Sequence, residues 1–437
     1  MSARPRSVAL LQLRAHDRND FPERWPDIRA RVADAAQGGA QLIVLPEGTV
    51  PAYVIGNQPV DPELLEAAAR DLIAIAAAHG TTIVYGAGRY DGGRYFNAAL
   101  VVGAAGAVGS ADKCFLWHFD RRWFSPGETL EPVATAAGQL GILVCADGRI
   151  PTIASTLVDR GAEMLVMPTA WVSSGRDPAG LENLQADLMI NVRAFENGVP
   201  LVAANKVGVE ARSVAYCGKS AIVAADGSFV ARADAQTETT LRGTVAVGPP
   251  FIARDTTPTT IERGADPREL ADGLRIGVAV RHDAELHALA ATADAELVLD
   301  PHTHPVSHEV GLVQDEAMLD PRALPGPRLA GVRLFVWHAS IAARWVVPLA
   351  RTRAAELRAY VVVLDTLVRR AFAVDPDGAV ICATFGAFEL AAFSFDRART
   401  SAWTIAPHTD VRAALERAET IGRSRAAPAP GTSPATP

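Results

Sequence analysis

Three residues whose side chains could share one reaction each follow a short apolar stretch of the sequence. Cys145 ends GILVC, Glu47 follows LIVLP, and Lys113 lies in ADKCF. A thiol can form a covalent bond to an acyl group, a carboxylate can take the thiol proton, and an ammonium can stabilise the oxyanion that develops. Each residue alone has an ordinary structural explanation, because solvated charges and buried cysteines are common. Their combination and order favour nucleophilic catalysis.

Short buried strands and amphipathic helices alternate around these three residues. The apolar periodicity predicts strands at 7–13, 41–45, 81–85, 140–145, 164–167 and 201–204, with helices at 25–37, 64–79, 151–161 and 181–197. Such alternation is typical of α/β folds in which helices pack on the faces of a sheet. Reactive side chains in these folds usually lie at the carboxyl ends of strands, where Glu47 and Cys145 are expected.

The composition of the chain argues against several classes of partner. The 437 residues carry a net charge of −7 and are 49% hydrophobic, which is ordinary for a globular protein and gives no basic surface for nucleic acid. No stretch approaches the roughly 18 apolar residues that a membrane helix needs. Val8 to Leu11 is too short for a signal-peptide core. The four cysteines lack paired spacing, so reduced thiols and a cytoplasmic location are expected.

Blocks of sequence around the three residues resemble the signature blocks of a known enzyme family. They are LIVLPEG at 42–48, ADKCFLWHFDRRWFSPGE at 111–128 and GILVCADGRIP at 141–151, with RGAEMLVMPTAW following at 160–171. The family is the carbon–nitrogen hydrolase (nitrilase) superfamily, and the resemblance runs from about Val8 to Val247. It implies an αββα sandwich and gives Glu47, Lys113 and Cys145 the Glu-Lys-Cys roles of that family.

The resemblance also suggests how further residues act. Glu47 would be the general base, and Lys113 with the backbone N–H of Ala146 would hold the oxyanion; one such donor is typically worth about 3 kcal/mol. Asp120 lies where family members carry a second glutamate. Its side chain is one methylene shorter, so its hydrogen bond to Lys113 or to the substrate amide could be lost. Glu128 is a less favoured substitute because it lies beyond the Pro-Gly turn.

The residues after Cys145 indicate the substrate class. True nitrilases tend to carry Trp-Glu after the nucleophile, whereas Cys-Ala-Asp-Gly-Arg resembles the amidase, carbamoylase and ω-amidase branches. An amide or N-carbamoyl substrate is therefore expected rather than a nitrile. Arg149 could bind a substrate carboxylate through its planar fork, or could form an ion pair with Asp147 or another acid. Trp171 could line the pocket or belong to the core.

The second half of the sequence repeats parts of the first half. We align 274–301 with 140–168, which places Arg281 opposite Cys145, and we align 352–365 with 191–205 and 370–386 with 218–234. Such repetition predicts a second, partial and degenerate nitrilase-like α/β unit that lacks the nucleophile. The predicted domains are a carbon–nitrogen hydrolase domain at 1–262 and this half-domain at 273–421, with a charged linker at 262–273, a helix from Val411 to Ile421 and a disordered tail at 422–437.

The role of the second unit stays open between structure and regulation. It could cover the face that a partner subunit would bury, which would make an internal pseudo-dimer instead of a homo-oligomer. Alternatively, Arg281 could contact a regulatory anion, and the whole protein could be a catalytically weakened binder. His302, His304 and His308 could ligate zinc, but the run carries prolines and is typical of a solvated loop. We expect a small-molecule substrate and no metal or cofactor.

Overall fold

The computed structural model describes residues 3–57, 59–173, 182–251, 259–304 and 306–423. We call residues 3–251 the N-terminal region and residues 259–423 the C-terminal region. The N-terminal region starts with β1 Arg4–Arg14, α1 Phe21–Gln37, β2 Leu42–Val44, α2 Pro62–His79, β3 Thr82–Asp91, β4 Arg94–Gly103 and β5 Gly106–Asp112. It continues with β6 Val133–Thr135, β7 Gly138–Ile142, α3 Pro151–Asp159, β8 Met164–Pro168, α4 Ile190–Asn197, β9 Leu201–Ala204, β10 Lys206–Glu210, β11 Val214–Cys217, β12 Ala221–Val223, β13 Phe229–Arg232 and β14 Thr239–Val247.

The N-terminal region consists of two sheets between two layers of helices. One sheet has eight strands in the order β11-β10-β1-β2-β3-β4-β5, with β14 paired to β1, and the other has the order β13-β12-β9-β8-β7-β6. Apolar side chains such as Leu10, Val44 and Val166 fill the space between the sheets. Helices α1 and α2 cover the eight-stranded sheet through Ile28 and Leu72, and α3 and α4 cover the other sheet. The predicted αββα sandwich is thus confirmed.

The C-terminal region has its own set of elements. They are β15 Glu262–Arg263, β16 Arg275–Val278, α5 Ala284–Thr292, β17 Leu297–Leu299, β18 Val310–Val313, α6 Asp315–Leu319, α7 Pro325–Leu329, β19 Leu334–Ala339, α8 Ala343–Leu357, β20 Tyr360–Asp365, β21 Arg370–Val374, β22 Val380–Ala383, β23 Ala391–Ser394, α9 Arg397–Ser401, β24 Thr404–Ala406, β25 Thr409–Asp410 and α10 Val411–Arg423. Six strands form a sheet in the order β15-β18-β19-β20-β21-β22, and β17-β16-β23 form a smaller one.

The strand order of the C-terminal region repeats that of the N-terminal region. In each region the first strand of the sheet pairs parallel to the next strand and antiparallel to a strand near the end of the region. In the N-terminal region, β1 pairs parallel to β2 and antiparallel to β14. In the C-terminal region, β16 pairs parallel to β17 and antiparallel to β23. The larger C-terminal sheet matches β6-β7-β8-β9-β12-β13 in order and direction. Gly141 pairs with Leu165, and Gly311 pairs with Phe335 in the same way. Four residues after these glycines lie Cys145 and Asp315.

This topology corrects one predicted alignment and confirms two. Residues 274–301 correspond to β1-α1-β2, and not to 140–168, so Asp315 and not Arg281 occupies the position of Cys145. The two strand-helix-strand segments look alike in sequence, and the chain position of the antiparallel partner distinguishes them. That partner follows β1 (as β14) and β16 (as β23), whereas the antiparallel partner of β7 is the preceding strand β6. The alignments of 352–365 and 370–386 agree with the positions of β20, β21 and β22. The expected linker also contributes structure, since Glu262–Arg263 pairs with β18.

The two regions pack against each other through helices. Side chains of α3, α4, α7, α8 and α10 belong to one apolar core. At its centre, Arg193 and Glu196 of α4 meet Arg353 and Glu356 of α8. Arg353 lies 2.7 Å from both Glu196 and Glu356, and Arg193 pairs with the same two glutamates. All four side chains are buried, so each charge depends on the other region for one of its two partners.

The last described helix confirms the predicted terminal helix and extends it by two residues. α10 packs on α3 of the N-terminal region, and its Val411, Leu415 and Ile421 enter the shared core. Most of the tail predicted at 422–437 lies outside the described residues. Within the described ranges, no helix has the length and apolar character required to cross a membrane.

Candidate active site

Cys145 lies at a sharp turn between a strand and a helix. It follows β7 and begins a short 3-10 helix, Cys145–Arg149, which leads to α3 at Pro151. Its φ is 49°, a left-handed conformation that is uncommon for a residue with a side chain. Strained backbone of this kind is concentrated at functional sites, where the surrounding structure enforces it. The thiol is almost fully buried, at 6% exposure.

Glu47 and Lys113 lie together beside this turn. Glu47 follows β2, Lys113 follows β5, and the two strands belong to one sheet. Lys113 Nζ lies 2.7 Å from Glu47 Oε1, and both side chains are fully buried. Asn97 of β4 donates a second hydrogen bond to Oε1, at 2.7 Å. Glu47 Oε2 accepts no hydrogen bond of standard geometry from the described residues, which leaves it available to a reacting group.

Asp120 completes this buried group in spite of its short side chain. Its Oδ2 lies 2.6 Å from Lys113 Nζ and accepts a hydrogen bond from the backbone N–H of Trp117 at 2.9 Å. The 3-10 turn at 118–122 brings the backbone close enough to offset the missing methylene. Glu128, the less favoured substitute, is exposed and pairs with Arg94 at 2.9 Å, away from Lys113.

Burial and neighbouring charges set the protonation of the site. Burial raises the pKa of Glu47, against the opposing effect of the Lys113 ammonium. Burial alone would lower the pKa of Lys113, but the carboxylates of Asp120 and Glu47 outweigh it and hold that pKa well above its usual value. Burial, followed by the Glu47 carboxylate, raises the pKa of the Cys145 thiol. Because only the thiolate is a good nucleophile, the thiol must lose its proton to a neighbouring base as it reacts.

Asp147 connects the turn of Cys145 with the segment of Lys113. Its Oδ1 accepts hydrogen bonds from the backbone N–H groups of Cys114, at 3.1 Å, and Phe115, at 2.7 Å. Its Oδ2 accepts one from Val144 N–H at 3.1 Å. Burial raises the pKa of Asp147 to about 7. This carboxylate fixes two loops relative to each other, a role that its place in the sequence block did not reveal.

A cavity of about 330 Å³ opens onto Cys145. It is lined by the predicted residues Ala146, Arg149 and Trp171, and also by Trp117, Ala170, Val172 and the segment 182–185. Gln185 of that segment donates to the carbonyl oxygen of Cys145 at 3.0 Å. Trp171 is 2% exposed, so it is a core residue with one side on the cavity. The volume is that of a small-molecule pocket.

Arg149 lies in the cavity wall without an acidic partner in the described part of the chain. The ion pair with Asp147, one of the two alternatives for Arg149, does not form, because the oxygens of Asp147 accept backbone N–H groups instead. The guanidinium lies 5.7 Å from the ring centre of Trp117, and its Nε is buried without a hydrogen-bond partner. Burial lowers the pKa of Arg149 to about 10, so the side chain remains a cation at neutral pH.

The histidine-rich segment lies in the C-terminal region and is separate from this cavity. His282 Nδ1 lies 2.7 Å from Asp300 Oδ2, and the ring of His302 is 4.7 Å from that of His282. His308 lies near the carbonyl oxygen of Asp266. No three potential metal ligands come together anywhere in the residues that the structure describes.

Comparison with known proteins places the N-terminal region in a family. The carbon–nitrogen hydrolase model matches residues 7–248, more than half of the chain. A protein described as a hydrolase in the pqqF 5' region of Pseudomonas protegens is 37% identical over 202 residues, which is 44% of this chain and 68% of that protein. A nitrilase of Pyrococcus abyssi is 31% identical over 44% of this chain and 71% of its own length.

An (R)-stereoselective amidase of a Pseudomonas species is also similar, at 28% identity over 43% of this chain and 66% of that protein. These matches cover the region that holds Cys145, Glu47 and Lys113. Hydrolysis of carbon–nitrogen bonds is the general activity that they support. The chain belongs to the carbon–nitrogen hydrolase family, the nitrilase superfamily that its sequence blocks resemble.

Proposed function

We propose that this protein hydrolyses a small amide or N-carbamoyl compound through a thioester on Cys145 and releases ammonia or an amine. The observation that carries the proposal is the buried chain Asp120–Lys113–Glu47 beside a thiol at the end of a cavity. Amide carbonyls are poor electrophiles, and a covalent intermediate divides their hydrolysis into two easier steps. The family membership supports the same bond type.

In the first step, the sulfur of Cys145 attacks the carbonyl carbon while Glu47 takes the thiol proton. The raised pKa of the thiol requires such a base. Oε2 of Glu47 accepts no hydrogen bond of standard geometry from the described residues and is the atom that would receive the proton. Lys113 and the backbone N–H of Ala146 stabilise the oxyanion. The carbon–nitrogen bond then breaks, the proton passes from Glu47 to the leaving nitrogen, and a thioester remains.

In the second step, Glu47 takes a proton from a water molecule whose oxygen attacks the thioester. The carbon–sulfur bond breaks, the sulfur regains its proton, and the carboxylic acid, or carbamic acid from a carbamoyl compound, leaves. Asp120 holds the Lys113 ammonium between two carboxylates, which fixes the direction of its N–H groups through both steps. Fixed donors stabilise the transition state without reorganisation, which is their advantage over water.

The cavity favours a substrate with a negatively charged end. Arg149 offers a cation that has no acidic partner among the described residues, in the wall that also holds Cys145. A substrate carboxylate bound by its planar fork would form charge-assisted hydrogen bonds with the guanidinium. Glu182, which also lines the cavity, is paired with Arg351 and does not cancel this charge.

The first test requires no knowledge of the substrate. Iodoacetamide is applied to the native protein across a pH series, and mass spectrometry gives the alkylation rate of each cysteine. Cys145 is expected to react much faster than Cys114, Cys217 and Cys382 below pH 8, although burial raises the pKa of all four thiols. Glu47→Gln should slow Cys145 selectively. If Cys145 is as inert as the other three, the protein is a binder and not a hydrolase.

The second test addresses the substrate. Ammonia release is measured from butyramide, from the monoamide of glutaric acid and from butyronitrile. We expect the charged amide to exceed butyramide by at least about 10-fold in kcat/KM, a typical value for one good ion pair in a pocket, and Arg149→Gln to abolish that preference. A faster turnover of the nitrile would overturn the assignment to amides.

A further inference from the structure

A hydroxyl group of the C-terminal region forms a hydrogen bond to the segment that follows the cavity residue Trp117. Thr409 of β25 is fully buried, and its Oγ1 accepts a hydrogen bond of 2.7 Å from the backbone N–H of His118. His118 has a φ of 42° and lies between Trp117, which lines the cavity, and Asp120, which binds Lys113. The hydroxyl therefore supports a strained turn whose two ends both belong to the site.

A second contact reaches the segment 182–185, which also lines the cavity. Arg351 of α8 forms a two-pronged ion pair with Glu182, with distances of 2.8 and 2.6 Å. Its Nε donates to the carbonyl oxygen of Gly378 at 2.6 Å, so the guanidinium is fixed within the C-terminal region. Glu182 lines the cavity, and Gln185 after it donates to the carbonyl oxygen of Cys145. A bidentate arginine restrains both the position and the orientation of the carboxylate that it binds.

We infer that the C-terminal region completes the active site, with Thr409 positioning the Trp117–Asp120 turn and Arg351 positioning the Glu182–Gln185 wall. The two residues are positioning residues, because neither one lines the cavity. The C-terminal region has no cysteine at the position of Cys145, and this inference gives it a part in the reaction of the other region. It rests on the proposed function, since the contacts matter only if Cys145 and Lys113 catalyse.

The two contacts should affect different kinetic constants. Loss of the Thr409 hydroxyl frees the turn that holds Asp120 on Lys113, which weakens oxyanion stabilisation and lowers kcat. Loss of the Arg351 fork frees a wall of the substrate pocket, which raises KM. Displacements of about 1 Å in such supporting groups can change rates by up to about 100-fold. We therefore expect kcat to fall about 10-fold or more in the first case and KM to rise about 5-fold or more in the second.

The Thr409 test compares Thr409→Val with Thr409→Ser, which keeps the hydroxyl. Thr420→Val is the matched control, because Thr420 is an exposed threonine of α10 that bonds only within its helix. The readouts are ammonia release from the monoamide of glutaric acid and alkylation of Cys145 by iodoacetamide. Alkylation forms no oxyanion, so it reports how readily the thiol loses its proton and not how well an oxyanion is stabilised. Thr409→Val should lower kcat and leave alkylation within about 3-fold of wild type, and Thr409→Ser should restore turnover.

The Arg351 test compares Arg351→Gln with Arg70→Gln. Arg70 forms an exposed ion pair with Glu66 on α2, at 3.6 Å, and has no contact with the cavity. Arg351→Gln should raise KM for the same amide with kcat nearly unchanged, and Arg70→Gln should change neither.

Other outcomes of these experiments would overturn either the proposed function or the positioning role. If Cys145 of the wild-type protein is inert, the proposed function fails. If the wild type is active and Thr409→Val and Arg351→Gln match it, only the positioning role fails. If turnover and alkylation fall together in Thr409→Val, with Thr409→Ser no better, the contact is merely structural and the positioning role is likewise overturned.

Discussion

The turn at Cys145 and the turn at Asp315 occupy equivalent positions in the two regions but differ in what their side chains do. Both follow a strand that pairs with its neighbour at equivalent glycines. Cys145 has a positive φ and opens onto a cavity. Asp315 begins α6, and its carboxylate accepts hydrogen bonds from the Trp337 indole at 2.9 Å and from the Ser340 backbone N–H. One turn presents a reactive group, and the other binds its polar group internally.

The two turns differ in their surroundings as well as in backbone conformation. The eight-stranded sheet supplies β4 with Asn97 and β5 with the following Lys113. In the described residues of the C-terminal region, the three-stranded sheet has no counterpart of β3, β4 or β5. What both regions retain is the helix with the Arg-x-x-Glu pattern at the shared interface. The C-terminal region thus has the helix that packs at the interface without the strands that position the candidate site in the N-terminal region.

The largest predicted effect is a difference in activity between a substitution in the turn at Cys145 and one in the turn at Asp315. Cys145→Ala removes the nucleophile and is expected to lower amide hydrolysis by at least about 10⁴-fold, as is usual for a covalent catalyst. Asp315→Asn keeps the shape of its side chain and should leave kcat within about 3-fold of wild type. Ammonia release under saturating substrate measures both. A comparable loss of activity in Asp315→Asn would show that the second turn has a catalytic part.

The next effect concerns the interface that both regions retain. Arg353→Met leaves the buried carboxylates of Glu196 and Glu356 with one cationic partner fewer. Removal of one member of a buried ion-pair group typically costs about 3–5 kcal/mol. Urea unfolding measures this change.

The control for Arg353→Met is Arg412→Met. Arg412 forms an exposed pair with Glu416 at 2.9 Å, and such pairs are typically worth about 0.3–0.5 kcal/mol. An equal effect of the two substitutions would mean that the buried group does not join the regions.

A smaller effect is expected in the pH profile. Glu47 must be ionised to act as base, and burial raises its pKa above the ordinary value of 4.5. The acid limb of kcat/KM should therefore lie above pH 4.5, with activity lost as the pH falls through the raised pKa. Lys113→Met removes the cation that opposes the rise in the pKa of Glu47, so the acid limb of the kcat/KM profile should move to still higher pH. An acid limb that stays in place in Lys113→Met would exclude Glu47 as the titrating base.

The sequence blocks were sufficient to identify the fold and the three side chains of the candidate site. Glu47 and Lys113 were predicted to act together, and they lie 2.7 Å apart. Asn97 was missed, although a lone polar residue in the apolar stretch FNAALVV was a usable signal. Asp147 was not foreseen as a link because its partners are backbone N–H groups, which every sequence contains.

The C-terminal region was harder to interpret from sequence. Each strand-helix-strand segment has the same apolar pattern, so periodicity could not decide which segment of the first half 274–301 repeats. That choice depends on strand pairing, and β23, which decides it, is about 90 residues further along the chain. The ion pairs between α4 and α8 depend equally on long-range packing.

The smallest predicted effect tests whether the loop after Lys113 accommodates aspartate better than glutamate at position 120. Asp120 is fully buried and already lies 2.6 Å from Lys113 Nζ, so the extra methylene of Asp120→Glu has no free space beside the cation. Overpacking of this kind typically costs about 1–3 kcal/mol. We expect kcat to fall about 3- to 10-fold in Asp120→Glu, and further in Asp120→Asn, which also removes the charge. A higher kcat in Asp120→Glu would show instead that aspartate weakens the site, and that the N-terminal region has begun the loss of function that the C-terminal region has completed.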